Sequence, residues 1–143
     1  MKHDNNGDCP KCDQIIALFP GFHPALKLWF KSLQYQYPEA HVSCAGRGEI
    51  SQEELYARGA TKAKWMKSAH NYNCALDLFC LVHGAPTIYP KDWFANVVRP
   101  KVPYWLNWYG AEGSAFFELP HVEVKDWKQL LMRGEVKLVG IKS

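Results

Sequence analysis

A markedly apolar run spans residues 74–82, and Asp77 is its one charged residue. A run of this length and composition is typical of a mostly buried β-strand. A carboxylate inside such a strand is costly unless it is paired or binds a metal ion. The pattern therefore predicts a strand here and makes Asp77 a candidate functional residue.

Helical and strand patterns follow one another along the rest of the chain. Apolar positions recur at helical spacing after Pro24, and Tyr37-Pro38 marks the end of that helix. Ser51 is the predicted N-cap of the next helix, which Gly59 ends. The other predicted helices are 14–19 (a short helix or a strand), 90–98 and 127–133, and the other predicted strands are 42–45, 104–109, 122–124 and 136–141.

Composition and charge narrow the class of protein. The chain has 143 residues, of which 48% are hydrophobic and 14% aromatic, so we expect one folded domain with its own core. The net charge of +3 is compatible with an anionic cell wall but too small to indicate a nucleic-acid partner. No apolar run reaches the roughly 18 residues that a membrane-spanning helix needs.

Two histidines, one before the predicted strand that carries Asp77 and one much later in the chain, are candidate partners of this carboxylate. His70 precedes it in the polar segment 68–73, and His121 begins the predicted strand 122–124, with Glu118 three positions earlier. Two imidazoles and one carboxylate form a three-ligand zinc site with a position open for water. A further carboxylate nearby can act as general base toward that water. We therefore expect a zinc site at His70, Asp77 and His121, with Glu118 as the catalytic base.

The order of these residues resembles that of a known family. Residues 68–77 read SAHNYNCALD, similar to the pattern SxHxxGxAxD, and residues 118–121 read ELPH, similar to [DE]xxH. The combined pattern resembles the zinc D-Ala-D-Ala peptidases and L-alanyl-D-glutamate endopeptidases, which cleave peptidoglycan stem peptides and include many phage endolysins. The resemblance implies a small single α+β domain with a largely antiparallel sheet and flanking helices, the fold shared with the hedgehog signalling domain.

The resemblance also implies roles for individual residues. It supports the ligands and the acid named above, and the stretch 47–56 is similar to the family's Arg…Gln…Leu-Tyr segment. Arg47 is then expected to hold the substrate and the developing oxyanion. Ser68 and Gln52 are expected to contact the substrate.

Three positions near the motif need comment. Asn73 stands where the family has glycine, which indicates a positive backbone φ that asparagine tolerates better than most residues. Glu118 stands where related endolysins often have aspartate, which leaves the scissile bond open. Glu123 is interpreted as orienting a ligating histidine or as structural.

The predicted function is zinc-dependent hydrolysis of a stem-peptide amide, with L-Ala–D-Glu as the favoured bond. One alternative is a D-Ala-D-Ala carboxypeptidase or dipeptidase. A second is a non-catalytic module with bound zinc, serving as a structural or wall-binding part of a virion. The first residues lack the apolar core of a signal peptide. We therefore expect synthesis in a cytoplasm and delivery to the wall by a holin, a virion or host lysis.

Five cysteines, an odd number, argue against a complete disulfide framework. Cys9 and Cys12 form a CxxC motif, and Cys80 with His83 is the nearest second pair, so these four residues are a possible structural metal site. The favoured interpretation is that residues 1–13 are a solvated N-terminal tail carrying the CxxC motif, followed by the zinc peptidase domain at 14–143.

Overall fold

The computed structural model describes residues 9–82, 85–87, 91–110 and 118–140, and the side chains of 9–81, 92–110 and 119–140. Its α-helices are α1 (Pro10–Ala17), α2 (Pro24–Gln36), α3 (Glu49–Ala57), α4 (Lys91–Trp93) and α5 (Trp127–Met132). Its strands are β1 (Ala40–Cys44), β2 (Ala75–Val82), β3 (Ala85–Thr87), β4 (Leu106–Tyr109) and β5 (Glu118–Val124). A 3-10 helix (Ala69–Tyr72) precedes β2, while a π-helical turn (Phe94–Val98) and a 3-10 turn (Arg99–Lys101) continue α4.

The strands form one antiparallel sheet in the order β1-β2-β5-β4, and β3 pairs with the last residues of β2. Strand β2 is central because it pairs with β1 on one side and β5 on the other. The predicted α+β class, with an antiparallel sheet and flanking helices, is confirmed. Within the described residues, no helix is long and apolar enough to cross a membrane.

Alternation along β2 divides its side chains between two faces of the sheet. Leu76 and Leu78 are fully buried and belong to the same core as Phe30 of α2. Asp77 points to the other face and is partly exposed. The strand thus anchors itself with one row of side chains and presents the predicted metal ligand with the other.

Two irregularities in strand register occur close to the predicted site. The β1–β2 register shifts between Val42 and Cys44, which brings Cys44 opposite Asp77. The β4–β5 register shifts between Trp108 and Tyr109, so that Trp108 lies opposite Val122 while Tyr109 lies opposite Glu118. Bulges of this kind redirect side chains and are frequent beside active sites.

Several predicted elements differ from the observed ones. Helix α3 has Gly48 as its N-cap in place of Ser51, because Gly48 already has extended backbone and Glu49 puts an acid in the first turn. No strand forms over residues 136–140, although the Val139 N–H donates to Asn71 O at 2.7 Å. The predicted helix 90–98 is in part a π-helical turn.

The start of the folded region also differs from the expectation. Pro10 begins α1, and Cys9 and Cys12 are buried in the hydrophobic core. The division placed after residue 13 therefore falls inside a packed helix. Residues from Cys9 onward belong to the same folded unit as the sheet.

Candidate metal centre

Strand pairing brings together two of the three predicted metal ligands, Asp77 and His121. Asp77 of β2 and His121 of β5 are directly opposite each other in the antiparallel register. Side chains of opposite residues point to the same face of a sheet, so the carboxylate and the imidazole meet there. Asp77 Oδ1 is 3.2 Å from His121 Nδ1.

The 3-10 helix before β2 supplies the other histidine. Ser68 is its N-cap, and Ser68 Oγ accepts a hydrogen bond from His70 N at 3.2 Å. Asn73 ends it with φ 60°, which confirms the left-handed conformation expected at the family's glycine position. This tight turn places His70 Nε2 3.2 Å from Asp77 Oδ1.

The three predicted ligands therefore converge on one point. His70 Nε2 and His121 Nδ1 both face Asp77 Oδ1, and the two imidazole rings have centroids 5.0 Å apart. Both histidines are buried, at 2% and 5% exposure, so water competes little for these donors. One carboxylate oxygen between two imidazole nitrogens is a donor set that suits zinc.

The other nitrogen of each ring is held by the protein. His70 Nδ1 is 2.6 Å from Ala45 O, and His121 Nε2 is 2.7 Å from Glu123 Oε1. A histidine that donates its second N–H to a carbonyl or carboxylate leaves the first nitrogen free to bind a metal. These contacts leave His70 Nε2 and His121 Nδ1 as the ring nitrogens available to a metal ion.

Glu123 is held in place on both of its oxygens. Its Oε2 accepts hydrogen bonds from Tyr109 Oη at 3.3 Å and from Trp127 Nε1 at 3.2 Å, while Oε1 contacts His121. A carboxylate engaged in this way orients the imidazole and has little freedom to move protons. The geometry agrees with the interpretation of Glu123 as the residue that orients His121.

Proton affinities in the metal-free protein reflect this crowding. Burial disfavours the imidazolium, but the neighbouring Asp77 carboxylate and Cys44 thiol outweigh it and raise the pKa of His70 to about 10. At His121, burial lowers the pKa of the imidazole, but its hydrogen bonds with Asp77 and Glu123 outweigh burial, and the pKa is raised overall. The two imidazoles outweigh burial at Asp77 and hold the pKa of that carboxyl well below its usual range. The site attracts cations, and protons compete with metal for it.

Arg47 lies beside the ligands and is fixed from behind. Its Nη2 is 3.4 Å from Asp77 Oδ2, and its Nη1 donates to Gln52 Oε1 at 3.2 Å. Gln52 is fully buried, and its polar atoms are all engaged. Its Oε1 also accepts a hydrogen bond from Asn71 Nδ2, and its Nε2 donates to Ala63 O. Gln52 is not among the residues that line the cleft, so its burial behind Arg47 argues against the predicted substrate contact.

Cys44 is a further neighbour that the sequence did not single out. Among the described side chains, Cys44, His70 and Asp77 place potential donor atoms within 4.8 Å of one another. Cys44 Sγ is 3.9 Å from His70 Nδ1, a nitrogen that already faces Ala45 O, and 3.6 Å from Arg47 Nη2. Cys44 is therefore a candidate donor beside the three predicted ligands. Burial raises the pKa of Cys44, yet His70 and Arg47 together lower it overall.

Glu118 begins β5, and its side chain lies outside the described part of the chain. In a regular strand, residues 118 and 121 would point to opposite faces. The register shift at Trp108–Tyr109 places three residues of β5 between the partners of two consecutive β4 residues. A bulge of this kind interrupts the regular alternation along β5 between these two positions.

An open cleft of about 570 Å³ gives access to two of the predicted ligands, His70 and His121. Its walls include Ser68, His70, His121 and Glu123. They also carry five basic side chains, Arg47, Lys62, Lys67, Lys125 and Lys128. Because Glu123 is engaged by His121, the cleft is positively charged overall and suits an anionic ligand.

The second predicted metal set is only partly assembled. Cys9 and Cys12 lie together, but His41 of β1 is the residue that contacts both sulfur atoms. Cys80 is opposite Ala40, and His41 is opposite Phe79, so strand alternation puts Cys80 and His41 on different faces. Cys80 therefore does not complete this set, and His83 lies outside the described residues.

Comparison with known proteins gives a likeness of fold. No protein-family model matches the chain, and no curated protein sequence matches it. The chain is similar in structure to the L-Ala D-Glu endopeptidase ChiX of Serratia marcescens, with a TM-score of 0.66 and 19% identity. The match covers 84% of this chain and 90% of that one. It supports the peptidase-like α+β fold.

Proposed function

We propose that this protein is a zinc-dependent peptidase that hydrolyses an amide bond in peptidoglycan stem peptides. The observation that carries the proposal is the convergence of His70 Nε2 and His121 Nδ1 on Asp77 Oδ1, with the second ring nitrogens held by Ala45 O and Glu123. Such a donor set leaves coordination positions open on the side of the cleft. The likeness of fold to ChiX, an L-Ala D-Glu endopeptidase, points to the same class of reaction.

The protein's own residues divide the chemistry among them. Zinc, when bound at this site, would supply Lewis-acid chemistry that activates water and polarises the scissile carbonyl. Arg47 lines the cleft next to Asp77, so its guanidinium is suited to stabilise negative charge that develops on that carbonyl oxygen. Glu118 is the proposed general base, which takes a proton from the attacking water and passes it to the leaving amine.

Substrate binding is assigned to the cleft. Ser68 Oγ accepts from His70 N, which leaves its own hydrogen available to donate to a substrate carbonyl or carboxylate. The basic side chains of the cleft suit the free carboxylate that D-Glu retains in a stem peptide. We therefore propose L-Ala–D-Glu as the bond cut, in a bacterial cell wall that the protein reaches through lysis, a holin or a virion.

Zymography on purified cell walls tests the proposal cheaply. We expect a cleared zone with the zinc-loaded protein, loss of clearing after chelation, and recovery when zinc is added back. His121→Ala is the matched control, because it removes one ligand and leaves the cleft lysines in place. Clearing that survives chelation, or equal clearing by His121→Ala, would contradict the zinc-dependent mechanism. Absence of clearing by all forms would favour a non-catalytic wall-binding module.

A further inference from the structure

Cys9, Cys12 and His41 form a compact cluster that the proposed reaction does not use. Cys9 Sγ is 3.2 Å from His41 Nδ1, and Cys12 Sγ is 3.5 Å from the same nitrogen. Cys9 and Cys12 are paired as a disulfide in this structure. All three side chains are 1–2% exposed. Two sulfurs and one imidazole nitrogen therefore face one another where solvent does not reach.

Helix α1 organises the two cysteines. Cys9 is the N-cap of the helix, and its Sγ accepts a hydrogen bond from Cys12 N at 3.1 Å. Once the disulfide is reduced, an N–H donated to sulfur and the positive end of a helix both favour the thiolate form. Thiolate is the form in which cysteine binds a metal ion.

Gln34 of α2 provides an independent observation at the same place. Its Nε2 is 3.6 Å from Cys12 Sγ and donates to Ala40 O at 2.8 Å. Its Oε1 is buried and has no hydrogen-bond partner. A buried amide oxygen without a donor is costly. The amide next to Cys12 therefore retains unused polar capacity, which a water bound to a metal ion could satisfy.

We propose that Cys9, Cys12 and His41 bind a second metal ion, of the zinc class, through two thiolates and His41 Nδ1. Zinc is the first candidate because thiolate and imidazole together suit borderline-soft ions. A thiol reductant first supplies two electrons and two protons to the Cys9–Cys12 disulfide, is itself oxidised to a disulfide, and leaves two thiols. These thiols lose two protons to solvent as the ion binds. The fourth position falls to water. This site is separate from the peptidase centre, and the proposal does not depend on the proposed function.

The position of the cluster indicates what the ion does. Cys9 and Cys12 are at the start of α1, whereas His41 is on β1, an edge strand of the sheet. β1 leads to Ala45, whose carbonyl oxygen contacts His70 of the peptidase centre. A shared ion would therefore fix α1 to the strand that orients a catalytic ligand. A disulfide within a CxxC motif closes only a very short loop and would stabilise the fold little through chain entropy.

Metal analysis of the full-length protein, purified under reducing conditions, tests the proposal. We expect about two zinc ions per chain in the natural protein and about one in Cys9→Ser, Cys12→Ser and His41→Asn. Cys80→Ser is the matched control, a buried cysteine on the other face of the sheet, and should keep about two. A zinc content in the three variants equal to that of the natural protein would overturn the second site.

Cobalt substitution covers the case in which those variants fail to fold. The proposed peptidase ligands include no thiolate, so thiolate-to-cobalt charge-transfer absorption in the natural protein would report Cys9 and Cys12. The band should persist in Cys44→Ser, which removes the other nearby thiol, and in His121→Ala, which disables the peptidase centre. A natural protein without the band, or with the mass of an intact Cys9–Cys12 disulfide after reducing purification, would contradict the proposal.

Discussion

Two glutamates near His121 have different proposed tasks. Glu123 is bonded to His121 Nε2, Tyr109 Oη and Trp127 Nε1, so it acts on the ligand and through it on the metal. Glu118 lies at the start of β5, beyond the bulge, and is proposed to act on the water. Glu123 should therefore control metal affinity, and Glu118 should control the rate of reaction.

Substitution of each glutamate by glutamine separates these tasks. Glu118→Gln should keep full zinc content and lower kcat by about a hundredfold or more, the usual effect of losing a general base. Glu123→Gln should weaken zinc affinity by about 10–100-fold, because His121 loses the acceptor that orients it. Zinc titration and kcat at saturating zinc are the measurements. Near-normal kcat in Glu118→Gln at full zinc loading would rule Glu118 out as the base.

Arg47 and Gln52 make a second pair at the residue scale. Arg47→Lys should lower kcat by about a hundredfold, because one ammonium does not replace the guanidinium beside Asp77, while zinc content stays unchanged. Gln52→Leu should lower kcat in the same direction, since Arg47 loses its acceptor. Gln52→Glu keeps an acceptor for Arg47 and should recover most of kcat. A loss in Gln52→Leu that appears in KM alone would instead mean that Gln52 serves substrate binding.

At the scale of elements, the sequence predicted those parts of the site that local pattern determines. The apolar run around Asp77 predicted β2, and the motif spacing gave His70 and His121. The position of Asn73 indicated the left-handed turn that is observed. Local pattern is sufficient for strand β2 and for the turn at Asn73 because each depends on its own segment of chain.

Other parts depend on pairing between distant segments. The bulges opposite Asp77 and Glu118 arise from strand register, which no single segment specifies. The burial of Gln52 behind Arg47 and the meeting of Cys12 with His41 likewise join separate elements. His41 was missed because nothing in its local sequence connects it to a CxxC motif 29 residues earlier.

The thermal stability of the metal-free protein should depend on pH, because His70 of the 3-10 helix is packed against β2 and β5. In the metal-free protein the pKa of His70 is raised from 6.5 to about 10, so protonated His70 stabilises the folded state. This contribution is complete below pH 6.5 and is lost as pH rises toward 10. Metal-free protein should therefore lose thermal stability over this range, and zinc-loaded protein should not lose it there. Parallel pH profiles of Tm for the two forms, measured by calorimetry, would contradict the assignment.

At the scale of the whole molecule, the sheet places the proposed metal ligands at the base of a basic cleft. Five basic side chains line it, and the chain as a whole carries a net charge of only +3. The positive charge is therefore local to the face where substrate would bind. Such a field favours encounter with anionic stem peptides and weakens with salt.

Charge reversal in the cleft tests this field. The double variant Lys125→Glu, Lys128→Glu should raise KM for stem peptides by about tenfold and leave kcat and zinc content nearly unchanged, because the lysines attract substrate without touching the ligands. Lys11→Glu, Lys27→Glu is a control with the same change in net charge outside the cleft. An equal rise in KM in both variants would show that net charge alone is responsible.

Mass spectrometry of peptidoglycan fragments tests the central claim most directly. Purified sacculi are digested with the zinc-loaded protein and, in parallel, with His121→Ala, and the new termini are identified. The account predicts a new N-terminal D-Glu with the natural protein and none with the variant. Release of D-Ala alone would make the protein a carboxypeptidase, and the absence of any new terminus would contradict the proposed peptidase activity.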